Sequence, residues 1–154
     1  MDIELALPQD IETLTALRLA FLREDFGTLD PQVESAIVQA LPGYLREHLN
    51  RDLFCFVARE GQTIAATAML LVTVKPPSPA FINGRTGTVL NVYTRPEYRR
   101  RGLARRVMER LREYARAADL SVVNLKATDA GYPLYLSVGF TDEMSKYHPM
   151  QWNR

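Results

Sequence analysis

Residues 99 to 104 combine basic and small side chains directly before a helical pattern. In chain order they are Arg99, Arg100, Arg101, Gly102, Leu103 and Ala104. The first N–H groups of a helix have no partner within it, and the helix dipole favours negative charge at that end. The glycine lets a ligand approach the backbone closely. This spacing predicts a site for an anion such as a phosphate group.

The elements on either side would hold this site in place. The apolar run 88–94 reads as a strand that ends before Pro96. The helix that starts after Gly102 buries apolar residues at helical spacing and leaves most of its arginines on other faces. The anion site therefore lies at a strand–turn–helix junction.

The remaining pattern predicts an α/β domain with three layers and a mixed sheet. The predicted elements are a first strand ended by Pro8, helix 9–23, a helix from Asp30 that breaks or kinks at Pro42-Gly43 and resumes over 44–49, strands 54–58 and 63–74, loop 75–87, strand 88–94, the helix after Gly102, strand 121–127, short helix 132–138, and a closing pair of strands from Phe140 onward.

Bulk properties narrow the class of protein. The 154 residues fit one domain over 1–154, and the net charge of +1 argues against general attraction to nucleic acid or membrane. Residues 95–116 nevertheless carry a net charge of +6. Cys55 is the only cysteine, which excludes an internal disulfide, and the two isolated histidines give no metal pattern. Without a signal or spanning segment in the sequence, we expect a cytoplasmic protein.

Two motifs resemble those of the GNAT N-acetyltransferase superfamily. Val92-x-Thr94-x-Pro96-Glu97-x-Arg99-x-x-Gly102-x-Ala104 is similar to its acetyl-CoA motif, and Leu134-Tyr135-x-x-x-Gly139-Phe140 is similar to a second element of that family. The order of elements also fits. The resemblance implies a three-layer GNAT-type domain with a mixed, mostly antiparallel sheet flanked by helices.

The resemblance also implies that acetyl-CoA is the cosubstrate, with no metal. Backbone groups of Val92, Tyr93 and Thr94 would bind the pantetheine arm and the thioester. The amides from Arg99 to Ala104 would bind the pyrophosphate, with Arg100 or Arg105 reaching the outer phosphates. Thr128 stands where relatives often carry an asparagine near the pantetheine.

Tyr135 is the position that the family uses as general acid toward the departing thiolate. The alternatives are that Tyr135 only donates a hydrogen bond to the sulfur or merely packs. No carboxylate lies on strand 88–94, so the candidate bases are Glu24, Asp25, Asp129 or an ordered water. Asn91 on that strand is a candidate for orienting substrate.

The function implied is transfer of an acetyl group to a primary amine by direct transfer in a ternary complex. The alternative is a non-catalytic acyl-CoA-binding or regulatory module on the same fold. The acceptor, a small molecule or a peptide, is not readable from the sequence, and neither is the use of other acyl groups. The family makes a homodimer possible. The side chains expected to shape the acceptor site are Arg18, Phe21, Phe26, Tyr44, Phe81 and Tyr147.

Overall fold

A computed structural model describes all 154 residues. Its regular elements are β1 (Asp2–Leu5), α1 (Ile11–Phe26), α2 (Pro31–His48), β2 (Leu53–Glu60), β3 (Thr63–Val74), β4 (Arg85–Thr94), α3 (Leu103–Ala117), β5 (Val122–Asn124) and α4 (Tyr132–Ser137), with short 3₁₀ turns at Pro8–Asp10 and Pro96–Tyr98. None of the helices combines the length and apolar character needed to span a membrane.

The five strands form one mixed sheet in the order β1-β2-β3-β4-β5. The first four pair antiparallel, and β5 runs parallel to β4. Parallel pairing requires a crossover between the two strands, and α3 supplies it. This arrangement confirms the predicted fold class.

Helices cover both faces of the sheet, each over its own apolar core. The core beneath α3 contains Phe56, Leu70, Val107, Met108 and Leu111, all fully buried. The core beneath α1 and α2 contains Leu14, Leu45, Leu53, Cys55 and Val57, which are likewise buried. The amphipathic pattern of α3 puts its apolar stripe on the sheet and its arginines toward solvent.

Of the predicted break or kink at Pro42, the break is wrong. Helix α2 does not break at Pro42 but runs through it to His48. Proline removes one backbone donor from a helix, yet Leu45 beyond it is fully buried, and Leu41 and Leu49 pack in the same core. Tertiary packing of the apolar face therefore keeps both halves of the helix in register. Asp30 caps α2 as predicted, accepting a hydrogen bond from the amide of Gln32 at 2.8 Å.

The predicted closing pair of strands is absent. Residues after Phe140 form neither helix nor strand. Their apolar side chains face solvent: Met144, Tyr147, Met150 and Trp152 are 73 to 94% exposed. β5 is only three residues long, so it offers a short edge for further pairing. The apolar residues of this segment resemble a strand pattern, but they have no sheet edge to pair with and no core to pack against.

Candidate functional site

A cleft of about 630 Å³ lies between the end of α1, the C-terminal half of β4, the start of α3 and the start of α4. Most of the residues predicted to form a site line it. These are Val92, Tyr93, Thr94, Arg99, Arg100, Gly102, Leu103, Ala104, Arg105, Thr128 and Tyr135. Arg101 is the one that does not. The fold thus brings together segments that are far apart in sequence, from Phe21 on α1 to Tyr135 on α4.

β4 presents unpaired backbone to the cleft because β5 leaves it early. The two strands pair only from Thr86 with Val122 to Thr88 with Asn124. β4 continues for six more residues, to Thr94, and pairs there only with β3. Its other edge is open along this length, so peptide groups of Val92 to Thr94 are available to a ligand in the cleft.

The loop before α3 offers a row of unpaired N–H groups. None of the amides from residue 100 to residue 105 donates to an acceptor within the chain, and no side chain caps the helix. Arg100 and Gly102 both have left-handed backbone, with φ of +62° and +74°. Such a turn curves successive N–H groups around a concave site that suits an anion. The helix dipole adds positive potential at the same point.

The three consecutive arginines have three different environments. Arg99 forms an ion pair with Glu24 of α1 at 2.7 Å, so it ties two walls of the cleft together. Arg100 lines the cleft and has no partner within the chain. Arg101 turns away and stacks on the ring of Tyr98, 5.1 Å from its centroid. Of the three, Arg100 is the guanidinium available to a bound anion.

Two further polar side chains at the cleft already have partners. The guanidinium of Arg105 pairs with Glu109 one helical turn away, at 2.9 Å. This pair is exposed, so little free energy opposes its exchange for another anion. The hydroxyl of Thr128 accepts from the amide of Gly131 at 3.1 Å and so helps to begin α4.

Tyr135 reaches the cleft from α4, opposite the open edge of β4. Its ring packs edge-on against Phe140, with centroids 6.3 Å apart. Burial raises the pKa of Tyr135, and its hydroxyl has no hydrogen-bond partner within the chain. At neutral pH the phenol is therefore protonated and free to donate.

Two of the candidate carboxylates reach the cleft. Glu24 and Asp25 both line it at the end of α1, whereas Asp129 does not. Glu24 is held by Arg99. Asp25 forms no ion pair, and it is therefore the free carboxylate of the cleft.

Of the side chains expected to shape an acceptor site, only Phe21 lines the cleft. Tyr147 is 73% exposed in the C-terminal segment. Arg18 lies on α1 near Tyr44, forms no ion pair, and is half-buried, which lowers its pKa. Eight of the lining residues were not predicted as site residues, among them Lys126, Gly131 and Leu134. Lys126 and Gly131 follow the end of β5, which runs parallel to β4. Residues that follow two neighbouring parallel strands lie at the same edge of the sheet, and this rule could have predicted their position at the cleft.

The chain has no cluster of histidine, cysteine, aspartate or glutamate that is arranged to hold a metal ion. Cys55 is buried, and burial raises the pKa of its thiol to about 12. The polar groups that face the cleft are therefore amides, arginines, carboxylates and a phenol.

Comparison with known proteins agrees with this geometry. Residues 14–140 match the family model described as Acetyltransferase (GNAT) family. No protein with a curated description matches the chain significantly.

Solved structures resemble the whole chain. One is a predicted acetyltransferase with acetyl-CoA from Clostridium acetobutylicum, at 26% identity and a TM-score of 0.82, covering 97% of this chain and 95% of that one. Another is a GCN5-related N-acetyltransferase from Ralstonia eutropha, at 26% identity and a TM-score of 0.81, covering 97% of each chain. Glucosamine-6-phosphate N-acetyltransferase from Arabidopsis thaliana shares the fold, at 19% identity and a TM-score of 0.69 over 96% of this chain and 98% of that one.

Proposed function

Because the chain belongs to the acetyltransferase (GNAT) family, we propose that it transfers an acetyl group from acetyl-CoA to a primary amine. Transfer is direct, with both substrates held in the cleft at once. The observation that carries the proposal is the row of unpaired amides from residue 100 to residue 105, which opens onto the unpaired edge of β4. An anion site continuous with a free strand edge suits a ligand with phosphates at one end and amides along its arm.

Different residues of the cleft would bind different parts of acetyl-CoA. The amides from Arg99 to Ala104 that lack acceptors would bind the pyrophosphate, and Arg100 would reach an outer phosphate. Arg105 would exchange Glu109 for the same purpose. Peptide groups of Val92, Tyr93 and Thr94 would pair with the pantetheine arm, with Thr128 at the opposite wall. Arg101 stacks on Tyr98 and is left out of this assignment.

Acetyl-CoA would supply the acyl group in activated form, as a thioester. The amine nitrogen forms the new C–N bond with its lone pair, and the C–S bond breaks. Tyr135 donates its phenolic proton to the departing sulfur. Because a thiol is more acidic than a phenol whose pKa is raised, this proton transfer is unfavourable by itself, even to a full thiolate. The nitrogen loses a proton as the amide forms, and that proton restores the phenol of Tyr135, so the overall step balances. A backbone N–H near Val92 stabilises the developing oxyanion.

The amine must lose a proton, because primary amines are mostly protonated at neutral pH. β4 carries no carboxylate, and Glu24 is occupied by Arg99. Asp25 lines the cleft without an ion pair, so we assign it as the acceptor of this proton. Holding both reactants in one cleft supplies much of the rate by proximity.

The same absence of a carboxylate on β4 favours a second candidate, a non-catalytic acyl-CoA-binding module. One experiment separates the two. Calorimetry with acetyl-CoA measures binding, and release of free CoA is then followed over a panel of polyamines, amino sugars, aminoglycosides and peptide N-termini. CoA release with a product that carries one acetyl group supports the enzyme. Binding without release from any amine supports the module, and absence of binding contradicts both.

A further inference from the structure

β4 contains a bulge inside the cleft, and Asn91 forms it. Met69 of β3 pairs with Leu90 and Thr67 pairs with Tyr93, so two residues of β4, Asn91 and Val92, stand opposite one residue of β3. Asn91 absorbs the extra length in a left-handed conformation, with φ of +53°. Asparagine and glycine tolerate this conformation better than other residues do.

The side chain of Asn91 is buried at the cleft without a hydrogen-bond partner. Asn91 is one of the residues that line the cleft and is only 3% exposed, and neither its Nδ2 nor its Oδ1 has a partner within the chain. A primary amide can donate two hydrogen bonds and accept two. A buried amide left unpaired destabilises the protein, because it has given up its hydrogen bonds to water without replacing them. A ligand in the cleft that forms hydrogen bonds with this amide would explain why it has no partner within the chain.

The position of Asn91 along β4 indicates which part of the ligand it meets. The unpaired amides at residues 100 to 105 lie at the Thr94 end of β4, toward which the strand edge is open. Asn91 lies further back, one residue before the segment assigned to the pantetheine arm. A ligand that extends along β4 from its phosphates therefore brings its acyl end to Asn91. The polar atom of an acetyl group is a carbonyl oxygen, which accepts hydrogen bonds.

We propose that Nδ2 of Asn91 donates a hydrogen bond to the acetyl carbonyl oxygen of bound acetyl-CoA. The side chain then distinguishes the acetylated cosubstrate from free CoA, which has no such oxygen. This inference rests on the proposed function, since it requires acetyl-CoA to bind in the cleft. It adds a side-chain donor to the backbone donor near Val92.

The best variant is Asn91→Gly, because glycine adopts the left-handed backbone of the bulge and removes only the amide. Asn91→Asp is the second variant; it keeps the shape but replaces the donor by a carboxylate. Thr67→Val is the matched control. The Thr67 hydroxyl is also buried without a partner, 1% exposed on the neighbouring strand, but it does not line the cleft.

Calorimetry with acetyl-CoA and with CoA tests the inference without an identified acceptor. The wild type is expected to bind acetyl-CoA more tightly than CoA, by roughly 5-fold for one neutral hydrogen bond. Asn91→Gly and Asn91→Asp should lose this preference, with CoA affinity within about 2-fold of wild type for Asn91→Gly. Thr67→Val should keep the wild-type ratio.

Three results would overturn the inference. If the wild type binds both ligands equally, or if both Asn91 variants keep the preference, Asn91 does not read the acetyl group, while the proposed function stands. If the wild type binds neither ligand, the proposed function fails as well. Thermal unfolding of each variant checks for a structural role, because removing an unpaired buried amide should not lower the unfolding temperature.

Discussion

At the β1 edge of the sheet, Arg59 forms two hydrogen bonds to Asp10, of 2.8 and 3.1 Å, and another to Glu4. At the opposite end, where β4 leaves β5, six consecutive amides and the side chain of Asn91 have no partner at all. The first group, Glu4, Asp10 and Arg59, is here named the anchor cluster. It satisfies its own polar groups and stabilises the fold, whereas the cleft leaves its polar groups for a ligand. We therefore expect mutations in the anchor cluster to change stability and mutations in the cleft to change ligand binding.

The largest effect is expected from Gly102→Glu in the cleft. A carboxylate there would repel phosphate and block several charge-assisted hydrogen bonds, so we expect acetyl-CoA affinity to fall about 1000-fold. Gly61→Glu is the matched control, because Gly61 is also exposed, left-handed at φ +59°, and free of atoms within 4 Å of an added Cβ. Titration calorimetry measures both. Equal affinity in the two variants would place the anion site elsewhere.

The anchor cluster should respond in the opposite manner. Asp10 is 6% exposed and also accepts from the amide of Leu7 at 2.8 Å. Asp10→Ala leaves Arg59 and that amide without their buried partner, so we expect a loss of about 3 kcal/mol in the free energy of unfolding. Urea denaturation measures it, with the exposed Asp2→Ala as control. If acetyl-CoA affinity of the folded variant also fell, the two ends of the sheet would not be independent.

Tyr135→Phe tests the catalytic half of the cleft. Loss of the phenolic proton should lower kcat by about 100-fold for an acceptor found in the amine panel, with little change in acetyl-CoA affinity. Tyr132→Phe is the control on the same helix, since the Tyr132 hydroxyl pairs with Asp142 outside this cleft. Turnover of Tyr135→Phe that matches wild type across the pH range would remove Tyr135 as the acid.

The smallest expected effect is the loss of the stabilisation by Asp10 at low pH. Burial alone would raise the pKa of Asp10, but hydrogen bonds from Arg59 and Leu7 outweigh it and the net shift is downward. The unfolded chain then binds a proton more readily, so the stabilisation is complete above the ordinary pKa of aspartate, about 3.9, and is lost as pH falls through the lower folded value. Urea midpoints of wild type and Asp10→Ala should converge over that range. A constant gap would show that the carboxylate charge is irrelevant.

The parts of the fold with strong periodicity were predictable. The strand over residues 63–74 and the helix after Gly102 lie where the pattern put them. The continuity of α2 through Pro42 was not predictable from local preference, because burial of Leu45 decides it. The predicted closing strands after Phe140 are absent for a related reason: a strand pattern in the sequence carries no information on whether a sheet edge is available for pairing.

The candidate site also has some features that were predictable from the sequence and others that were not. The residues before α3 were enough to predict an anion site there, whereas the meeting of that site with Thr128 and Tyr135 was predicted from the resemblance to the family. The sequence could not separate Arg100, which lines the cleft, from Arg101, which stacks on Tyr98 and does not line it. The bulge at Asn91 was also invisible, since it arises from pairing with β3. The anchor cluster was missed because Asp10 and Arg59 are 49 residues apart.

Because the start of α3 has no cap, the stability of the fold should depend on the concentration of the ligand that binds there. A side-chain cap typically adds about 1 kcal/mol to a helix, and α3 has none. An anion held there would act as the missing cap, binding the native state and not the unfolded chain. By mass action, a ligand at 100 times its dissociation constant adds about 2.7 kcal/mol to the free energy of unfolding. The melting temperature of this protein would then rise with the concentration of that ligand.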